Sequence, residues 1–143
     1  MNEPVFEAIG AVAAALALGF VVSVTVVVGR IAFRVLSEDD ARSFLRALFH
    51  VYYIALISFL VVGAAALALP RPVDAGVLGA VAIVTAFAWA WLTPIAHRLD
   101  DLRREGQDVA KELVRIQGRG SFIIVAQIVS LTVVVIRLAT VPA

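Results

Sequence analysis

Two histidines, His50 and His97, are the only imidazoles in a chain of 143 residues that contains no cysteine. The lack of thiols removes disulfides, thiolate metal sites and cysteine nucleophiles together. Two level histidines on neighbouring helices could clamp a b-type haem or hold a metal ion. Two ligands are nevertheless few for a catalytic metal. The competing reading sets each imidazole among lipid headgroups, beside Arg46, Tyr52, Tyr53, Trp89 and Trp91, because membrane interfaces favour such amphipathic side chains. A second chemistry is offered by Arg42, Arg46 and His50, which fall at i, i+4 and i+8 and form a basic stripe on one helix face. With Arg98 they could guide a small anion or an anionic headgroup. The same arginines equally satisfy the preference for positive charge on the cytoplasmic side. No serine stands with a histidine and an acid in a nucleophilic arrangement, and no glycine-rich phosphate loop or metal motif occurs. Basic residues alternate with acids, which does not describe a nucleic-acid surface. No catalytic residue is assigned, no cofactor is required, and the protein is expected not to be an enzyme.

The elements that must position these side chains follow from composition. The chain is 62% hydrophobic and 16% charged, with a mean hydropathy of +1.01. Average soluble domains are roughly 45–50% apolar and about 25% charged. A single soluble core of this length leaves about 30% of its unfolded surface exposed, so it could not hide so much apolar area. A soluble domain and a disordered tail are both excluded, and the bilayer is the natural solvent. A spanning helix needs about 20 apolar residues, and four stretches supply them, at about 8–29, 49–69, 76–95 and 121–138. Glu3 and Glu7 precede the first without any basic residue, so it is read as a retained helix rather than a signal peptide. Ten of the twelve basic residues lie in the connections 30–48 and 96–120. By the positive-inside rule these are cytoplasmic, and both termini lie outside. His50 lies 20 residues before Pro70 and His97 lies 21 residues after Gly76, intervals of about 30 and 31 Å on antiparallel helices. The two imidazoles therefore sit at one depth.

The connections carry helical signals too. Ser37 before Glu38, Asp39 and Asp40 is an N-cap with acids in the first turn, and its helix runs on into the second span. Leu99, Leu102, Gly106, Val109, Leu113 and Ile116 repeat at spacings of three and four, which predicts an amphipathic helix. Asp100 with Arg104, and Asp108 with Lys111, fit same-face pairs. Gly118 and Gly120 mark the start of the fourth span, and Thr93-Pro94 should kink or end the third. Within the spans the polar residues are Ser23, Thr25, Ser58, Thr85, Gln127, Ser130 and Thr132. Lone Ser and Thr bond to their own helix, and without intramembrane charge a pump or voltage sensor is not expected. Ala11, Ala15, Gly19 and Ser23 form a small-xxx-small stripe, and Gly76, Gly79 and Ala80 open the third span. Such residues let helices approach closely. Packing inside the bundle is the favoured use of the stripe, with a seam for a partner helix as the alternative. The two halves run in the same direction, so an inverted-repeat transporter is not suggested.

Several short elements resemble an uncharacterised bacterial membrane family. They are Phe33-x-x-Leu36, Ala41-x-x-Phe44 and Phe49-x-x-Tyr52-Tyr53, then Thr93-Pro94 followed by Arg98 and Asp100 or Asp101. This is the domain of unknown function 4149 family, which is similar to transmembrane protein 205. Its relatives often carry a histidine and a serine just before the fourth span, then an amide inside it. Here Gln117 stands at the histidine position, with Ser121 and Gln127 nearby. The resemblance implies a small four-helix membrane protein and supplies no reaction.

The expectation is an all-α integral membrane protein of one domain, residues 1–143. Its four transmembrane helices form an antiparallel bundle with helical cytoplasmic extensions in the bacterial inner membrane. Beyond the lipid bilayer, its partners would be other membrane-protein subunits or further copies of itself. The leading function is a non-enzymatic accessory or interaction subunit of a larger membrane complex. The alternatives are a haem- or metal-binding protein using His50 and His97, and a small-solute or lipid-handling protein using Arg42, Arg46 and Arg98.

Overall fold

A computed structural model of the chain describes residues 3–141. Among these residues there is no strand, and four long helices account for nearly all of them. They are α1 (Glu3–Val35), α2 (Glu38–Leu67), α3 (Pro72–Arg104) and α4 (Ala110–Thr140), each long and apolar enough to cross a membrane. At 1.5 Å per residue they extend about 45–50 Å, well beyond a hydrocarbon layer of about 30 Å. The surplus comes from the connections, which are themselves mostly helical. The four apolar stretches all lie inside these helices.

The helices form a bundle in which α2 packs between α1 and α3, while α4 closes against α1 and α3. The core is layered from Ala14, Ala17 and Val21 of α1, Leu56, Leu60 and Leu67 of α2, Leu78 of α3, and Leu131 and Val134 of α4. Small residues set the closest approach. A Cβ on Gly63 would lie 2.9 Å from Leu78 Cδ1 and 3.3 Å from Ala13 Cβ, and one on Gly10 would overlap the Leu67 side chain. The outer faces carry Leu16, Val61, Ile83, Val129 and many other exposed apolar side chains. In water such a surface would be an aggregation liability, whereas hydrocarbon solvates it.

Local chemistry fixes the helix ends. Ser37 caps α2 by accepting from the Asp40 N–H at 3.2 Å, as its position before three acids predicts. Pro72 occupies the first turn of α3, where a missing N–H costs nothing. The predicted helix through 99–116 is interrupted. Gly106 has φ of +84°, the Gly106 N–H donates to Arg103 O and the Gln107 N–H to Leu102 O, both at 3.1 Å. This paired reversal is a Schellman motif, in which a left-handed glycine ends the helix. The three- and four-residue spacing of the sequence runs across this break, and helix resumes as α4 at Ala110. Asp108 consequently lies in the turn, not on a helix face with Lys111.

Pro94 does not end the third span. A π turn over Ala88–Leu92 precedes it, and the helix continues as Thr93–Arg104. The wider turn accommodates a residue that has no N–H, and the Thr93 hydroxyl donates to Ala88 O at 3.3 Å. A second π turn, Ser23–Val28, sits in α1. Gly118 and Gly120 lie within α4, just ahead of the apolar stretch 121–138.

Candidate functional site

Three polar arrangements stand against the apolar background. The first is at the end of the bundle where the α1–α2 and α3–α4 connections lie. The stripe of Arg42, Arg46 and His50 faces α3. Arg42 donates to Asp100 Oδ1 and to Glu38 Oε1, both at 2.7 Å, and Arg46 donates to Asp101 Oδ1 at 3.0 Å. One turn deeper, the His50 ring meets Trp89 edge-on with centroids 5.7 Å apart. Asp100 also reaches Arg104 at 3.6 Å, the same-face pair expected from the sequence.

Hydrogen bonding from Arg42 holds the Glu38 carboxyl below its ordinary pKa. The bond from Arg46 does the same for Asp101. Just past the apolar stretch of α3, burial and then the Arg46 guanidinium push His97 down, which keeps its ring uncharged at neutral pH. His50 and His97 line one shallow depression of about 480 Å³ together with Trp89, Arg98 and Asp101. The structure thus brings both histidines to one place and sets exposed Arg98 beside them, while Arg42 and Arg46 are held by carboxylates.

The second arrangement is a cavity of about 490 Å³ between α2, α3 and α4. Its rim carries Arg42, Asp100 and His97, its walls include Phe49, Leu92 and Ile124, and Tyr52, Tyr53 and Gln127 also line it. Gln117, Ser121 and Gln127, the three positions marked out by the family resemblance, all border this one space. Gln127 is 3% exposed, and its side-chain nitrogen donates to Thr85 Oγ1 at 2.7 Å. Thr85 in turn donates to Val81 O at 2.7 Å. Tyr52 is 2% exposed, and its hydroxyl has no hydrogen-bond partner. Sequence reasoning placed Tyr52 among the interface aromatics and in the Phe49-x-x-Tyr52-Tyr53 element of the resemblance, and gave its hydroxyl no role. No pattern in the chain distinguishes a buried hydroxyl from one at a headgroup.

The third arrangement is a clasp at the opposite end. Arg71, in the α2–α3 turn and 8% exposed, donates to Glu7 of α1 at 2.7 Å. It also donates to the carbonyl of Arg137 at 3.3 Å and to that of Val141. Arg137 of α4 donates to Asp74 Oδ1 at 2.7 Å, and Asp74 is 2% exposed. The clasp ties α1, the α2–α3 turn, α3 and α4 together. By sequence, Arg71 and Arg137 are simply the two basic residues outside the connections 30–48 and 96–120.

The small-residue stripe lies elsewhere than expected. Gly10, Ala13, Ala14, Ala17 and Val21 make the buried face of α1. Ala15, Gly19 and Ser23 are exposed and Ala11 is half-buried, so the stripe turns away from the bundle rather than packing inside it. The α1 segment is small-residue-rich on both sides, and spacing alone could not choose between them.

No curated protein and no solved structure matches the chain. A domain of unknown function, DUF4149, matches residues 12–105, from the first turns of α1 through the end of α3. That match includes the pairing surface of α2 with α3, both histidines and Tyr52, and it covers well over half of the sequence. The chain belongs to the DUF4149 family.

Proposed function

We propose that the protein is a non-enzymatic, multi-pass protein of the bacterial inner membrane whose antiparallel bundle holds a small apolar ligand between α2, α3 and α4. The antiparallel arrangement is supported by the way residues gather at the two ends: Arg42 with Asp100 at one, Glu7 with Arg71 and Asp74 with Arg137 at the other. The end bearing 30–48 and 96–120 holds most of the basic residues. It therefore faces the cytoplasm, and both termini face outside.

The observation that carries the ligand reading is the cavity. Its volume of about 490 Å³ lies within the roughly 300–1,000 Å³ usual for small-molecule sites. Mostly apolar walls with a few convergent polar groups are the usual composition of such sites. The arginines at its rim are paired with acids, so they set the register of α2 on α3 rather than presenting free positive charge.

The test uses Gly120→Phe. Gly120 borders the cavity, and a Cβ placed there meets nothing within 4 Å, so a large side chain has room to enter. Extraction of small molecules from protein purified in mild detergent should recover a bound species from the wild type and not from this variant. Recovery of the same species from both would exclude the cavity as its site.

A second reading, an accessory subunit of a larger complex, is favoured by the outward turn of Ala15, Gly19 and Ser23, which suits close approach by another helix. It predicts copurification of a membrane partner that is lost in Gly19→Leu. A solitary bundle in native membranes would end it.

A further inference from the structure

The cavity has one feature that goes beyond its size. Among the described residues, the Tyr52 hydroxyl is the one buried side-chain oxygen or nitrogen without a hydrogen-bond partner. Leaving such a group unpaired costs about 1–3 kcal/mol, and in a native protein it calls for a specific explanation. The ring cannot swing away to find a partner. It stacks on Phe20 at 5.6 Å and meets Phe49 edge-on at 5.7 Å and Tyr53 at 5.2 Å. Those same rings make the neighbourhood poor for a resident water, which needs two to four polar partners. What suits the position is an acceptor oxygen on an otherwise apolar molecule.

Charge narrows the class further. Arg42 is matched by Glu38 and Asp100, and Arg46 by Asp101, so the rim offers an anion little uncompensated charge. Gln127 commits its nitrogen to Thr85, and among the residues lining the cavity Tyr52 carries a hydroxyl that is both buried and unpaired. We propose that the cavity takes the uncharged, mostly apolar portion of a membrane-soluble molecule, held through a carbonyl oxygen that accepts a hydrogen bond from the Tyr52 hydroxyl. This rests on the ligand-holding reading above. A membrane supplies such a carbonyl in two forms, the ring of a quinone and the acyl ester of a phospholipid. The aromatic surfaces of Phe49, Tyr52 and Tyr53 offer flat walls to a ring.

The experiment compares wild type, Tyr52→Phe and Gly120→Phe in lipid nanodiscs. One arm titrates a decyl-tailed dimethoxybenzoquinone and follows quenching of Trp89 and Trp91. The other uses phosphatidylethanolamine with a diazirine on its acyl chain and maps the labelled peptides. The expected result is saturable quenching in the wild type, about tenfold weaker half-saturation in Tyr52→Phe, and no saturable component in Gly120→Phe. Ligand-free Tyr52→Phe should melt at the wild-type temperature or above, because the substitution removes an unpaired hydroxyl.

Labelling of cavity residues that depends on Tyr52, without saturable quinone quenching, would support the carbonyl contact and assign it to phospholipid. Quinone binding or lipid labelling in the cavity that is unchanged in Tyr52→Phe overturns this inference and leaves the ligand-holding reading intact. If neither probe reaches the cavity, both fall. A poorly folded Tyr52→Phe would itself contradict an unpaired hydroxyl, and Gly120→Phe then decides whether the cavity is occupied.

Discussion

A polar side chain in the middle of a bilayer has few partners to choose from, so the ones present are informative singly. The Gln127–Thr85 bond joins α4 to α3 across the apolar core. Interhelical hydrogen bonds in membranes average only about 0.6 kcal/mol, because the unfolded helices also find partners. Gln127→Leu should therefore lower unfolding stability in mixed micelles by about 1 kcal/mol or less; a loss several times larger would mean that the amide supports more than this one bond. The Arg71–Glu7 and Arg137–Asp74 pairs differ, since Arg71 and Asp74 are buried. Removing Arg71 takes a partner from buried Asp74 and from Glu7, whose side chain is 27% exposed, so the cost falls toward the lower end of the range of about 3–5 kcal/mol for a fully buried pair. Arg71→Ala is expected to show a loss of that order in the same assay, whereas Arg46→Ala, at an exposed pair, should cost under about 1 kcal/mol. The residues themselves were legible in the sequence; their states were not. Gln127 stood out as the amide inside a span, but nothing in the sequence singled out Asp74, and only packing reveals that Tyr52 lacks a partner. For His50 and His97, an absorption spectrum is the direct check. Aromatic bands alone are expected, and a Soret band lost in His50→Ala would instead assign a haem to their shared depression.

At the level of helices, the α2–α3 pairing depends on pH through groups on both. Asp101 and Glu38 are held below their ordinary values, so their contribution is complete above the ordinary carboxylate range and fades as pH falls through their lower folded values. His97 acts in the same direction. Its charged form is disfavoured in the folded protein, so stability falls as pH drops from its ordinary value of 6.5 toward the lower folded one. Melting curves against pH should show a first decline just below pH 6.5 that is absent in His97→Gln, and a second in the carboxylate range that is reduced in Asp101→Asn. Two glycines make the helix geometry testable. Gly106→Ala forces a side chain into left-handed backbone and should cost about 1 kcal/mol. Gly63→Leu overpacks the contact with Leu78 and Ala13 and should cost about 1–3 kcal/mol. The four spans could be found from hydropathy because lipid demands some 20 apolar residues regardless of tertiary contacts. The break at Gly106 escaped because its flanks kept a helical spacing, and the buried face of α1 escaped because small residues line it on both sides.

The molecule as a whole is polarised. One end carries paired surface charges on helical extensions, and the other closes with a buried clasp and a four-residue turn, Ala68–Arg71, between α2 and α3. Because the chain contains no cysteine, its orientation can be tested without background. A thiol introduced by Gln107→Cys should react with an impermeant maleimide only from the cytoplasmic side, and one at Leu69→Cys only from outside; the reverse pattern would invert the proposed topology. The π turns have a consequence for the length of the chain. A π turn is in effect one residue added to a regular helix, and the turn over Ala88–Leu92 bulges where α3 borders the cavity. Deleting a single residue there would restore the ordinary pitch while keeping the flanks of α3 in phase with α2 and α4. Elsewhere in α3 the same deletion would rotate everything beyond it by about 100°. Members of the family that differ by one residue in this helix should therefore carry the gap at this turn, and the wall beside their cavity should be correspondingly reshaped.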